Sequence, residues 1–120
     1  MARYVDGFVI PIKKTNMKVY KKMAAEGKRL WMKHGALEYY ECYMNDFLPY
    51  GLGFKKMCKL KSGETAIFAF IVFKSKAHRN QVNKKVHAGM DMSKMPKMPF
   101  DMKKFAVAGC EVILYGSKNA

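Results

Sequence analysis

Residues Thr65 to Phe73 form a strand pattern that is apolar on both alternations. Ala66, Phe68, Phe70 and Val72 fall on one face, and Ile67, Ala69, Ile71 and Phe73 on the other. A sheet covered by helices on one side only should alternate apolar with polar residues. Two apolar faces need two covers. At 120 residues the chain has room for one domain, and its 50% hydrophobic content is enough for a packed core. The rest of the sequence has to show what the covers are.

Tyr4 to Ile12 reads as a strand, with Pro11 marking a strand end or an edge. Thr15 or Asn16 can cap a following helix by accepting from free amides of its first turn. Apolar and small residues then recur at Met17, Tyr20, Met23, Ala24, Gly27, Leu30 and Trp31, one helical face. Lys18, Lys21, Lys22, Lys28 and Arg29 occupy much of the remainder, and Gly35 is a natural helix stop. The small pair Ala24 and Gly27 lets this helix lie close to a sheet.

Ala36 to Met44 is a Tyr-rich second strand, Asn45 to Gly53 a loop, Phe54 to Lys61 a short strand, and Ser62-Gly63 a turn. After the apolar strand, Ser75 caps a second helix that runs to about His87. An irregular Met- and Pro-rich crossing from Gly89 to Lys104 leads to a final strand, Phe105 to Tyr115. The predicted main order is β-α-β-β-α-β, an α+β, ferredoxin-like unit with an antiparallel sheet. Its two helices can cover one sheet face. The expected cover of the other is a second copy of the chain, which makes the protein a homodimer.

The formal net charge is +14. Such a charge attracts polyanions, but Lys13, Lys21, Lys33, Lys59, Lys76, Lys85 and Lys104 are spread along the chain and read first as solvated surface. Cys42, Cys58 and Cys110 are odd in number and lack CxxC spacing, which fits reduced thiols in a cytoplasmic protein and no metal site. No run of residues is long and apolar enough to span a membrane, and the first 14 residues read as a strand, not a signal peptide.

Asp6, Glu41 and Glu111 stand in strands among apolar neighbours, either as structural ion-pair partners or as acid–base groups. Asp6 and Glu111 lie on the first and last strands, which should be neighbours, so the two carboxylates are expected to approach each other. A small-molecule pocket lined by Tyr4, Asp6, Phe8, Phe68, Phe70 and Glu111 is the predicted site, with His34 a further candidate at a helix end. Met90, Met92, Met95, Met98 and Met102 read as a pliable apolar cover, with Cu(I) ligation as the alternative. The run Phe68-Ala69-Phe70-Ile71-Val72-Phe73 matches the tail of an RNP1 pattern, so nucleic-acid binding is the competing reading. No cofactor is identified.

Tyr4-Val5-Asp6-Gly7-Phe8, Gly35-Ala36-Leu37, Glu41-Cys42, Ser75-Lys76-Ala77 and Met98-Pro99-Phe100-Asp101 resemble, in order, the YbaA-like proteins, a bacterial family of unknown function. The resemblance implies the dimeric α/β-barrel fold, in which two ferredoxin-like sheets face each other. Members of that wider group include cofactor-free oxygenases, stress-related proteins and haem-handling proteins. What the resemblance implies is therefore a fold, with an oxygenase-like enzyme as one further alternative.

Overall fold

The structure, a computed structural model, describes residues 3–90 and 97–119. Strands β1 (Tyr4–Lys13), β2 (Glu38–Tyr43), β3 (Glu64–Phe73) and β4 (Ala106–Glu111) form one sheet in the order β2-β3-β1-β4, antiparallel throughout. Helix α1 (Met17–Lys33) links β1 to β2, α2 (Phe54–Met57) is a single turn before β3, and α3 (Lys76–Ala88) follows β3. This is the ferredoxin-like α+β fold.

Both long helices pack on the same face of the sheet. At one end Ile10, Ile12, Ile67 and Ala69 bury against Tyr20 of α1, with Met17, Met23 and Ala24 beside them. At the other, Ile71 and Phe73 bury against Val82 and Val86 of α3, with Leu30 and Trp31 adding cover. Helix α1 stops as its glycine requires: Gly35 has φ +113°, and the Ala36 amide donates back to Trp31 O at 3.0 Å. Ser75 Oγ accepts from the His78 amide at 3.1 Å and so opens α3.

Three local expectations need correction. The Asn16 side chain does not cap α1; its Nδ2 donates to Pro99 O at 3.0 Å and ties the helix start to the segment before β4. Residues 54–61 hold a helical turn in place of a strand, because Met57 N donates to Gly53 O and Cys58 N to Phe54 O. The last strand ends at Glu111, not Tyr115. Beyond it Ile113 and Leu114 are 85% and 89% exposed.

The second sheet face carries Val5, Gly7 and Val9 of β1, Phe68 and Phe70 of β3, Tyr40 and Cys42 of β2, and Ala106, Ala108 and Cys110 of β4. Tyr40 and Phe70 stack with centroids 4.6 Å apart, and Phe68 leans on Phe70 at 5.7 Å. Phe68 and Tyr40 remain exposed.

Candidate functional site

The register of the sheet divides the predicted pocket. Tyr4 pairs with Phe73, Asp6 with Ile71 and Phe8 with Ala69, so these three β1 residues face the helices, as does Glu111 opposite Tyr4. Phe70 pairs with Gly7 and Phe68 with Val9, which puts both rings on the opposite face. One pocket cannot hold both sets. Side chains alternate along a strand, so the parity of the pairing decides the face.

Asp6 does not meet Glu111. Its β4 neighbour is Gly109, and its carboxylate is buried beneath α3. Arg79 Nε lies 3.1 Å from Asp6 Oδ1 but off the hydrogen-bonding axis, so the contact is an ion pair more than an aligned hydrogen bond. Asn83 Nδ2 donates to Asp6 Oδ2 at 3.3 Å, and Trp31 Nε1 donates to Asn83 Oδ1 at 2.9 Å. The Arg79 guanidinium also lies over the Tyr4 ring and donates to its hydroxyl. Gly109 makes room for this: a Cβ there would run into Arg79 Nη2 and the Tyr4 hydroxyl. Asp6 thus joins β1 to α3 and α1. His34, half-buried at the end of α1, takes no part in this network.

The third strand carboxylate makes a different arrangement. Glu41 and Tyr39, two apart on the edge strand β2, share the helix face. The Tyr20 hydroxyl donates to Glu41 Oε1 at 2.7 Å and the Tyr39 hydroxyl to Oε2 at 2.6 Å. The carboxylate sits in an open cleft of about 250 Å³ between α1 and β2, walled by Met17, Ala24, Tyr39, Tyr43 and Ile67, with Lys21 and Lys28 at its α1 side. Gly27 keeps α1 close: a Cβ there would lie 3.1 Å from the Tyr39 hydroxyl. Glu41 was recognisable in the sequence as a strand carboxylate among apolar residues. Its two tyrosines were not, because Tyr20 reads equally well as a core residue of the helix face. The available signal was the i, i+2 pair Tyr39 and Glu41 facing the small stretch at Ala24 and Gly27.

Burial, and then the hydrogen bond and charge of Glu41, push the Tyr20 and Tyr39 hydroxyls well above the usual phenol value, so both remain donors. A phenol that ionises less readily folded than unfolded contributes stability that is complete below about pH 10 and lost as the pH rises above it. Urea midpoints should therefore fall between about pH 9 and 11, and Tyr20→Phe should flatten that decline. An unchanged alkaline slope in the variant would show that the hydroxyl ionises freely.

Met90 packs at the edge of the α3 core, whereas Met92 and Met95 of the predicted methionine cover lie outside the described residues. No helix among the described residues is long and apolar enough to cross a membrane.

Residues 3–102 match the family described as "Protein of unknown function (DUF1428)". The chain is 33% identical over 115 residues to the uncharacterized protein YbaA of Escherichia coli K12, covering 93% of this chain and 97% of that protein. YbaA of Shigella flexneri matches to the same extent. Among solved structures, a dimeric ferredoxin-like protein from an uncultured marine organism superposes with a TM-score of 0.66 at 10% identity, covering 97% of this chain and 100% of the other. At that identity the likeness is one of fold.

Proposed function

We propose, from the premise that this chain belongs to the DUF1428 family of proteins of unknown function, that it is a homodimeric small-molecule-binding protein whose two copies bury their open sheet faces against each other. The observation that carries the dimer is the shape of that face. Its β2–β3 half is a ridge of the large rings Tyr40, Phe68 and Phe70, while its β1–β4 half is a trough of smaller side chains, Val5, Gly7, Val9, Ala106, Ala108 and Cys110. A two-fold axis lays the ridge of one copy into the trough of the other, the self-complementarity that an isologous interface needs. Exposed Ile113 and Leu114 continue from β4 and add apolar surface for a second copy. That the marine relative is described as dimeric supports the same reading.

Nucleic-acid binding is favoured by the same exposed aromatics and by the net charge of +14. The charges on the open face weigh against it. The strand residues there include one cation, Lys13, against Glu38 and Glu64. Base-stacking surfaces hold the phosphates with cations around the aromatics, and here Arg3 is paired with Glu38, so the charges at this face balance without an excess of cations. The oxygenase-like alternative would need Asp6, Glu111 or His34 beside a substrate. Asp6 is held by Arg79 and Asn83, and neither Glu111 nor His34 lines the α1–β2 cleft. The free thiols support the cytoplasmic setting expected of the chain.

Light scattering at micromolar concentration should give twice the chain mass of 13.8 kDa. RNA affinity should be weak and sequence-blind and should collapse between about 50 and 200 mM salt. A monomer that binds RNA selectively at the higher salt would replace this reading with the nucleic-acid one.

A further inference from the structure

The α1–β2 cleft has a chemistry that the dimer does not use. Each oxygen of Glu41 already accepts one tyrosine hydroxyl, at 2.7 and 2.6 Å, which fixes the carboxylate in one orientation. A carboxylate has about four lone-pair positions, so two acceptor sites remain. Both tyrosine protons are spent on Glu41, so the hydroxyls offer a ligand no further donor. Among the described residues no lysine or arginine lies within ion-pair distance of Glu41. The walls are the rings of Tyr20, Tyr39 and Tyr43 together with Met17, Ala24 and Ile67, and Lys21 and Lys28 of α1 line the same cleft, their side chains long enough to bring an ammonium to its mouth.

We propose that this cleft binds a small zwitterionic organic molecule, its ammonium on Glu41, its apolar body between the tyrosine rings, and its carboxylate toward Lys21 and Lys28. A purely anionic ligand would leave the open acceptors of Glu41 unpaired and repelled, and a purely cationic one would face two lysines. The volume of about 250 Å³ lies just below the roughly 300–1,000 Å³ of sites for drug-sized ligands, so the ligand is a single-ring or short-chain compound. This rests on the small-molecule half of the proposed function and not on the dimer, since every group comes from one chain.

The test is an NMR titration of the full-length protein with three probes: 4-(aminomethyl)benzoate, benzylamine and benzoate. The first should shift the amides of Ala24, Lys28, Tyr39 and Glu41 with an affinity on the order of 1 mM or tighter. Benzylamine should bind more weakly at the same amides, and benzoate more weakly still. Glu41→Gln, close in shape and checked for an unchanged spectrum elsewhere, should weaken the zwitterion by about tenfold or more. Lys28→Gln should weaken the zwitterion but not benzylamine. No shift at the cleft amides, equal binding by benzoate, or unchanged binding in a folded Glu41→Gln variant would each overturn the proposal. Light scattering on the same sample separates the two readings: a monomer that still binds overturns only the dimer.

Discussion

Phe70→Asp should turn the proposed dimer into a folded monomer. Phe70 lies on the central strand β3, stacked on Tyr40 and touching Phe68, with Gly7 opposite it on β1. Its ring sits at the centre of the ridge, between the more exposed Tyr40 and Phe68, that a second copy would cover. Anchoring aromatics at interfaces cost about 2–4 kcal/mol when removed, roughly 30- to 700-fold in dissociation constant, and a buried carboxylate adds its own desolvation. The fold should survive, because Phe70 belongs to neither cluster beneath the helices. Light scattering should report one chain mass, and far-UV circular dichroism an unchanged sheet. If the variant remains a dimer, the two copies meet through some other surface.

Asp6→Asn should be the most destabilising isosteric change in the chain. Asp6 and Arg79 are both largely withdrawn from solvent, with side-chain exposures of 9% and 23%. Removing one partner of a buried pair leaves the other charge uncompensated, at about 3–5 kcal/mol. Arg79→Met in the Asp6→Asn background should recover part of that loss, since the stranded guanidinium is then gone. The double variant should be more stable than the sum of the two single effects, as contacting residues generally are not additive. Urea denaturation of the three variants measures the coupling. A single-variant loss below about 0.5 kcal/mol would mean that water already screens the pair.

Local pattern carried most of the architecture. The two alternations of Thr65–Phe73, the amphipathic run from Met17 to Trp31, the helix stop at Gly35 and the helix start at Ser75 each reflect short-range preferences, and each element formed where the pattern placed it. Weak local signals did not fix structure. Residues 54–61 lack alternation and fold as a turn of helix, and the apolar stretch 113–115, past the Val112 amide that still donates to Arg3 O, continues β4 in composition but not in pairing.

The site was less legible. Asp6 and Glu41 stood out as strand carboxylates because a charge among apolar residues is costly without a partner, and both prove to have partners. The partners themselves were hidden. Arg79 is 73 residues from Asp6, and Tyr20 is 21 from Glu41 with a helix stop between them. Strand periodicity assigns a residue to one of two faces within its own strand. It does not say which face of β1 continues which face of β3. That depends on the pairing of Tyr4 with Phe73, and a shift of one residue would have placed Phe70 beside Asp6. Composition and period were enough to specify four strands, two long helices and an uncovered apolar face; inter-strand register and the seating of α1 and α3, which arise from hydrogen bonds and packing between distant segments, determined which side chains share a site.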